Sequence, residues 1–285
     1  MIDEHINNPK SAKFYVKRYL QAISDELKNK TVIDMPAGNG ATTEILKELG
    51  CSVEPYDLFP EYFLLEGIEC KRANIADRIP VEDGHADYVV CQEGIEHFSD
   101  QLKAFKEFAR VLKNGGKLIL TTPSYSNLKS KFSYLLFESE YFNKFMPPNE
   151  IDSIWMSDQS IGSEIYHGHI FMVGIQRLRI LAKLSGMHIS KVLYMRTNKT
   201  SLVLFPLFYP FILLSSWMTY TKAMRKNRDI PKEVKKKTYR EQLSLNINPR
   251  ILLDSHTFIV FEKEKEMKEV YSDLSSIFRP FGQIM

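Results

Sequence analysis

The stretch Thr31-Val-Ile-Asp-Met-Pro-Ala-Gly-Asn-Gly-Ala-Thr-Thr43 constrains this chain more than any other part of it. An apolar run ends at Asp34, a turn with Gly38 and Gly40 follows, and helical periodicity begins near Ala41. Two glycines so placed permit positive φ and let a ligand approach the main chain with no Cβ in the way. A helix that starts there points its free N–H groups back toward the turn. Asp34, at the strand end, is placed to accept hydrogen bonds from turn amides or from a ligand ammonium group. Asp57 closes the next strand-like run, Ser52 to Tyr56. A carboxylate there can accept both hydroxyls of a ribose. Together these features point to an adenosine-type cofactor.

The rest of the first half repeats that rhythm. Ser11 to Lys28 carries an imperfect apolar stripe and predicts one leading helix. Strands are predicted at Thr31 to Met35, Ser52 to Tyr56, Glu69 to Ala73, Asp87 to Cys91 and Lys117 to Thr122, with helices over Ala41 to Leu49 and Gln101 to Leu112. Strands separated by helices imply an α/β, doubly wound and mostly parallel sheet with right-handed crossovers. After Pro123 the rhythm breaks at 124–168, which reads as an insertion over the sheet's edge. It returns with a helix over Phe171 to Ser185 and a strand over His188 to Met195. A second interruption covers 197–250, and Leu252 to Phe261 predicts one more strand. The expected organisation is a single domain over 1–285 carrying two insertions.

Composition narrows the class. Hydrophobic residues make up 44% of 285, enough for a substantial core. Cys51, Cys70 and Cys91 are widely separated, with no zinc spacing, and no Asp/His array suggests a catalytic metal. Met1 to Lys10 lacks the apolar centre of a signal peptide, so a cytoplasmic location is expected. The net charge of +3 conceals a local excess: nine basic residues against two acidic ones between Lys222 and Arg240. The remainder is therefore mildly acidic, which argues for a local anionic partner and against a nucleic-acid-coated protein.

The motifs between 30 and 123 resemble, in order, those of the class I S-adenosylmethionine-dependent methyltransferases. Ile33 to Gly40 is similar to the family's hydrophobic-Asp-x-Gly-x-Gly-x-Gly turn, with Pro36 replacing the first glycine. Asn74 to Asp83, Ala86 to Val90, Ile95-Glu96-His97-Phe98, Arg110 to Gly116 and Leu120-Thr-Thr-Pro123 continue the match. The resemblance implies a seven-stranded Rossmann-like sheet and S-adenosyl-L-methionine as cofactor. It assigns cofactor contact to Asp34, Ala37, Gly38, Gly40, Asp57, Asn74, Ile75 and Gln92. Family members usually have an acid at the position of Asn74, facing the adenine amino group. A dinucleotide-binding fold would need a third glycine three residues after Gly40, where this chain has Thr43.

Methyl transfer from a sulfonium is an in-line displacement that needs alignment, exclusion of water and often an acceptor base. Glu96 and His97 follow the fourth strand, beside the expected methyl position, and serve either chemistry or local structure. His169, in His167-Gly168-His169, resembles a histidine on the acceptor side of related small-molecule and glycan methyltransferases. It is the first choice as base, with His97 second and Tyr166 as an orienting group. The expected reaction is O-methylation of a small-molecule, glycan or lipid-linked acceptor. The non-enzymatic alternative is a degenerate methyltransferase-like domain acting as a membrane-associated partner protein.

Thr200 to Thr221 contains no charge and is long enough to span a bilayer. The predicted strands on either side belong to one sheet, however, and a single crossing would separate them. Two readings remain. One is an interfacial or re-entrant element broken at Pro206 and Pro210, with Trp217 and Tyr220 at headgroup level and the basic run on anionic lipid. The other is an ordinary buried or dimer-forming helix. The first implies peripheral attachment to the inner face of the membrane.

Overall fold

The computed structural model describes residues 3–139, 147, 149–151, 153, 168–226, 228 and 230–277. Seven strands form one sheet: β1 (Thr31–Asp34), β2 (Ser52–Asp57), β3 (Lys71–Arg72), β4 (Ala86–Gln92), β5 (Leu112–Pro123), β6 (Met187–Leu193) and β7 (His256–Lys263). Their order is β3-β2-β1-β4-β5-β7-β6. β1 to β5 run parallel, and β7 is antiparallel to both β5 and β6. The doubly wound sheet expected from the sequence is thus present.

Two apolar layers cover it, as the period-two alternation of a strand requires. Val32, Val90, Ile119 and Val260 face one layer with Val16 and Leu20 of α1 (Ala12–Ala22) and Ile45 and Leu46 of α3 (Ala41–Glu48). Ile33, Val89, Leu118 and Phe261 face the other, with Phe105 and Phe108 of α4 (Gln101–Val111) and Leu178 of α6 (Ile175–Leu184). Asp100 caps α4 by accepting from the Lys103 amide, 2.8 Å.

Several boundaries differ from the sequence reading. The leading helix breaks at Ile23, and a short α2 (Ser24–Leu27) follows α1. The third strand shrinks to two residues, and α6 starts only at Ile175, whose amide donates to Ser126 Oγ at 2.8 Å. Leu252 does not begin a strand. Asn248 caps a short helix α9 (Pro249–Leu253) by accepting from the Arg250 amide, so the last strand begins at His256. Within 124–168, Asn127 caps α5 (Leu128–Phe137). Most of that insertion, including Tyr166 and His167, lies outside the described residues.

The larger correction concerns the second insertion. Pro206 and Pro210 do not break it: α7 (Lys199–Arg225) runs continuously through both. Both prolines are exposed, so the carbonyls they leave without an intrahelical donor lie on the outer side of the helix. After a turn, α8 (Lys232–Ile247) packs back along α7.

Candidate active site

The chain leaves β1 for one side of the sheet, builds β2 and β3, and returns to β4 on the other side of β1. The crevice beyond the carboxyl ends of β1 and β4 is where ligands bind in such sheets. Two loops meet there, Met35–Gly40 after β1 and Glu93–His97 after β4. Gly94 locks them together, since a Cβ on it would stand 2.4 Å from Cδ of Pro36. That close seat accounts for the proline that replaces the expected first glycine.

The first loop is built as a cradle. Gly38 (φ 53°) and Gly40 (φ 89°) are both left-handed, and Gly40 is the N-cap of α3. A Cβ on Gly40 would also meet the Phe63 ring at 2.9 Å, so this position requires glycine twice over. Asp57 reaches across from β2: the Gly38 amide donates to Oδ2 and the Phe59 amide to Oδ1, each at 2.8 Å. Each carboxylate oxygen retains a second lone pair for a ribose hydroxyl. The Asp57→Ala variant is therefore expected to lose both the loop anchor and the ribose acceptor. S-adenosylhomocysteine affinity measured by calorimetry should fall about 100-fold, and unchanged affinity would refute the assignment.

Asp34 is 1% exposed and accepts a 2.6 Å hydrogen bond from the Thr43 hydroxyl on Oδ2. Its Oδ1 is buried without a partner among the described residues, and removal from water pushes the carboxyl up to about 7. An unsatisfied buried oxygen at the end of β1 fits a ligand ammonium. The Ala37 amide donates to Tyr56 O, which ties the loop to β2. Gln92 Oε1 accepts from Thr42 Oγ1 at 2.8 Å and so holds the start of α3 to β4. Asn74 Oδ1 accepts from the Ala76 amide at 2.9 Å in a local turn, beside buried Ile75. The expected adenine-facing role falls to whatever acceptor capacity that turn leaves.

Lys13 was not legible as a site residue. It projects from α1 to a buried Asp3 carboxylate and lies 3.4 Å from Asn39 Oδ1 in the cradle. Its charge acts on both Asp34 and Glu93, which places a cation where a cofactor carboxylate would need one. The only signal in the sequence was a lysine on a helix facing the first motif.

The second loop gathers the acceptor-side groups. Glu93 holds a left-handed φ of 49°, unusual for a non-glycine residue, as β4 ends. Glu96 is fully buried: Thr122 Oγ1 donates to its Oε2 at 2.9 Å, and Oε1 has no partner among the described residues. Burial raises the Glu96 carboxyl, and Glu93 adds to the effect. His97 Nδ1 lies 3.0 Å from the Gly168 carbonyl, an acceptor only, so Nδ1 carries a proton and donates to it. Gln101 Nε2 donates to Ile95 O (3.0 Å) and Phe171 O (2.6 Å), which joins this loop to the 168–171 segment. The His97 and His169 rings are consequently 5.2 Å apart, from positions 72 residues distant in sequence.

Burial, reinforced by His97, lowers His169 to about 4. His256 at the start of β7, a second residue missed in the sequence, is 3.7 Å from Glu93 Oε2. No metal set was expected, yet one ligand atom each from Glu96, His97 and His169 lie within 4.8 Å of one another. One carboxylate and two imidazoles make a donor set suited to a divalent transition metal.

A parallel sheet with a glycine cradle after β1, a carboxylate after β2 and a buried acid–histidine cluster after β4 defines a class I methyltransferase. The chain belongs to the methyltransferase-domain family, whose profile matches residues 10–186. It is similar to the ubiquinone biosynthesis O-methyltransferase of Xanthomonas oryzae, 30% identical over 131 residues. That match covers 43% of this chain and 54% of the relative. The corresponding protein of Nitrosomonas europaea is 28% identical over 138 residues, covering 45% and 58%. The chain thus spans about half the length of the curated relatives it matches. A solved methyltransferase from Archaeoglobus fulgidus superposes with a TM-score of 0.50 at 13% identity, over 90% of this chain and 97% of that one, and shares the fold. The family's cofactor is S-adenosyl-L-methionine, and the cradle fits it: an open acceptor at Asp34, a carboxylate at Asp57 and a cation at Lys13.

Proposed function

We propose that this protein transfers a methyl group from S-adenosyl-L-methionine to a hydroxyl oxygen of a small-molecule, glycan or lipid-linked acceptor, and that it works on the cytoplasmic side of a membrane. The observation that carries the reading is the convergence of Glu96, His97 and His169 at the crevice, beside a cradle suited to the cofactor. The bound cofactor supplies an electrophilic methyl group on a sulfonium. Asp34 and Lys13 hold the charged end of such a ligand, Asp57 holds its ribose, and Ile75 lines the neighbouring apolar wall. Gln101 positions His97 against the 168–171 segment, so that a hydroxyl entering between the loops meets the two imidazoles. His169, neutral at pH 7, is the proton acceptor of this reading, with His97 beside it. The acceptor oxygen seen in the names of the curated relatives agrees with this reading, since oxygen is the atom they methylate.

The cluster also favours a second reading, in which Glu96, His97 and His169 bind a divalent cation that acidifies the acceptor hydroxyl directly. A non-enzymatic partner role is less favoured, because it leaves the open Asp34 oxygen and the Gly40 cradle without purpose.

Radiolabelled methyl donor, incubated with the protein and fractions of glycans and hydroxylated lipids, tests the reaction class. The expected product carries label in an ether that survives both acid and base treatment. Label recovered only in amines, or in base-labile esters, would overturn the hydroxyl assignment.

A further inference from the structure

α7 holds 27 residues, about 40 Å of helix, and only 6% of its most apolar 18-residue window is buried inside the protein. Its exposed residues are not scattered. Val203, Leu207, Leu214 and Met218 recur at four, eleven and fifteen positions from the first, a single stripe on a 3.6-residue helix. Phe211 and Trp217, 67% and 59% exposed, flank it on either side. The opposite face packs inward. The Phe208 ring meets Phe132 of α5 at 5.9 Å, Tyr209 donates to the Ile247 carbonyl, and Ser216 accepts from Asn246. So long a continuous apolar stripe in water marks an interaction surface.

Charge decides what kind. Lys222, Arg225, Lys226, Arg228, Lys232, Lys237 and Arg240 are all exposed at the far end of the α7–α8 hairpin. Lys235 is withdrawn from that group, since its ammonium donates to the carbonyls of Met224 and Lys226 and closes the end of α7. An apolar stripe continued by seven exposed cations complements an anionic lipid surface. A second copy of the chain fits poorly, because α7 has no acidic residue to meet those cations.

The hairpin also dictates the mode of attachment. β6 and β7 are adjacent, and a Thr197–Asp254 bridge closes the base of the insertion, so both ends return to one place. α8 is bound along α7 and carries Lys232, Glu233, Lys237, Arg240 and Glu241. A transmembrane α7 would drag those charges into hydrocarbon. We infer that α7 lies in the plane of an anionic phospholipid membrane, with the Val203–Met218 stripe among the acyl chains and the basic turn on the headgroups. The base of α7 stands at the carboxyl edge of the sheet, two residues from His256 along the β7 side of the bridge. Docking in this way holds the carboxyl edge of the sheet, where the acceptor crevice lies, close to the base of the docked helix; the use of that nearness rests on the methyl-transfer reading, whereas the docking itself does not.

The test is flotation of the full chain with phosphatidylcholine vesicles containing or lacking phosphatidylglycerol. Association is expected with the anionic vesicles only, weakened as salt rises. Leu207→Glu/Leu214→Glu should reduce it at least ten-fold, and Lys222→Glu/Arg225→Glu should reduce it independently if the first variant fails to fold. S-adenosylhomocysteine calorimetry on each variant should be unchanged, which separates loss of docking from loss of the cofactor site. Absence of flotation of the parent, or flotation of both variants equal to that of the parent, overturns the inference. So does a solution dimer that Leu207→Glu/Leu214→Glu dissociates, since the stripe would then be a self-association surface.

Discussion

An Asp34→Asn variant is expected to bind S-adenosylhomocysteine about 10- to 100-fold more weakly, yet to lose less stability than the parent as pH rises. Asp34 is 1% exposed, receives one side-chain hydrogen bond and, among the described residues, keeps a buried oxygen without a partner. Its folded-state carboxyl sits near 7, against an ordinary value of 3.8. Between those two values the folded protein holds a proton that the unfolded chain has released, so stability falls as pH rises from about 4 to 7 and is then level. The full effect is on the order of 4 kcal/mol at pH 8. The asparagine amide still accepts from Thr43 but does not titrate. Thermal unfolding at pH 5 and pH 8, without ligand, should therefore show a parent melting temperature that drops more over this interval than that of the variant. Parallel pH dependence would mean that Asp34 is already ionised and paired. The loss of affinity follows because a charged hydrogen bond to the ligand ammonium is worth roughly 1.5–3 kcal/mol. A residue that destabilises the empty fold while completing the filled one is what a binding site requires.

The second large effect is expected from His169→Ala, with kcat falling about 10²- to 10⁴-fold and S-adenosylhomocysteine affinity unchanged. Because burial and His97 lower His169 to about 4, its proton-accepting form is complete above about pH 5. The acid limb of the kcat profile should lie near pH 4 rather than near the ordinary histidine value of 6.5. In the cation reading, chelation by EDTA abolishes turnover of the parent and a divalent metal restores it. Resistance to EDTA, together with loss in His169→Ala, selects the base. Full activity of His169→Ala would remove this histidine from the chemistry altogether.

Much of the architecture was readable along the chain, because the interactions that create it are local. Asp34, Gly38, Gly40 and the start of α3 lie within eight residues, and their roles follow from strand period, positive φ and helix capping. The strand–helix alternation through Pro123 likewise pointed to a parallel sheet, since a helix is the usual crossover that brings the chain back to start a parallel neighbour. The strand expected from Leu252 takes in the last two residues of the short helix Pro249–Leu253, because apolar residues before a β-branched run carry both periods equally well. Asn248-Pro249 was the local signal that resolves it.

The chemistry of the acceptor side was not readable in that way. Glu96 and His97 follow β4, but His169 joins them only because Gln101 clamps Ile95 to Phe171 and Gly168 faces His97. Lys13 and His256 enter from opposite ends of the chain, brought in by the packing of α1 and by the reversal of β7. α7 shows the same division. Composition named Thr200 to Thr221 as apolar, whereas its continuity through two prolines and its bond to a charged α8 were decided by tertiary contacts. The sequence by itself determined the cofactor turn, the sheet and the existence of an apolar arm, all of which depend on neighbours in the chain. Only the tertiary structure decided which distant acids and histidines share one crevice and which face of the arm stays uncovered, because burial and proximity belong to the folded chain and not to any segment of it.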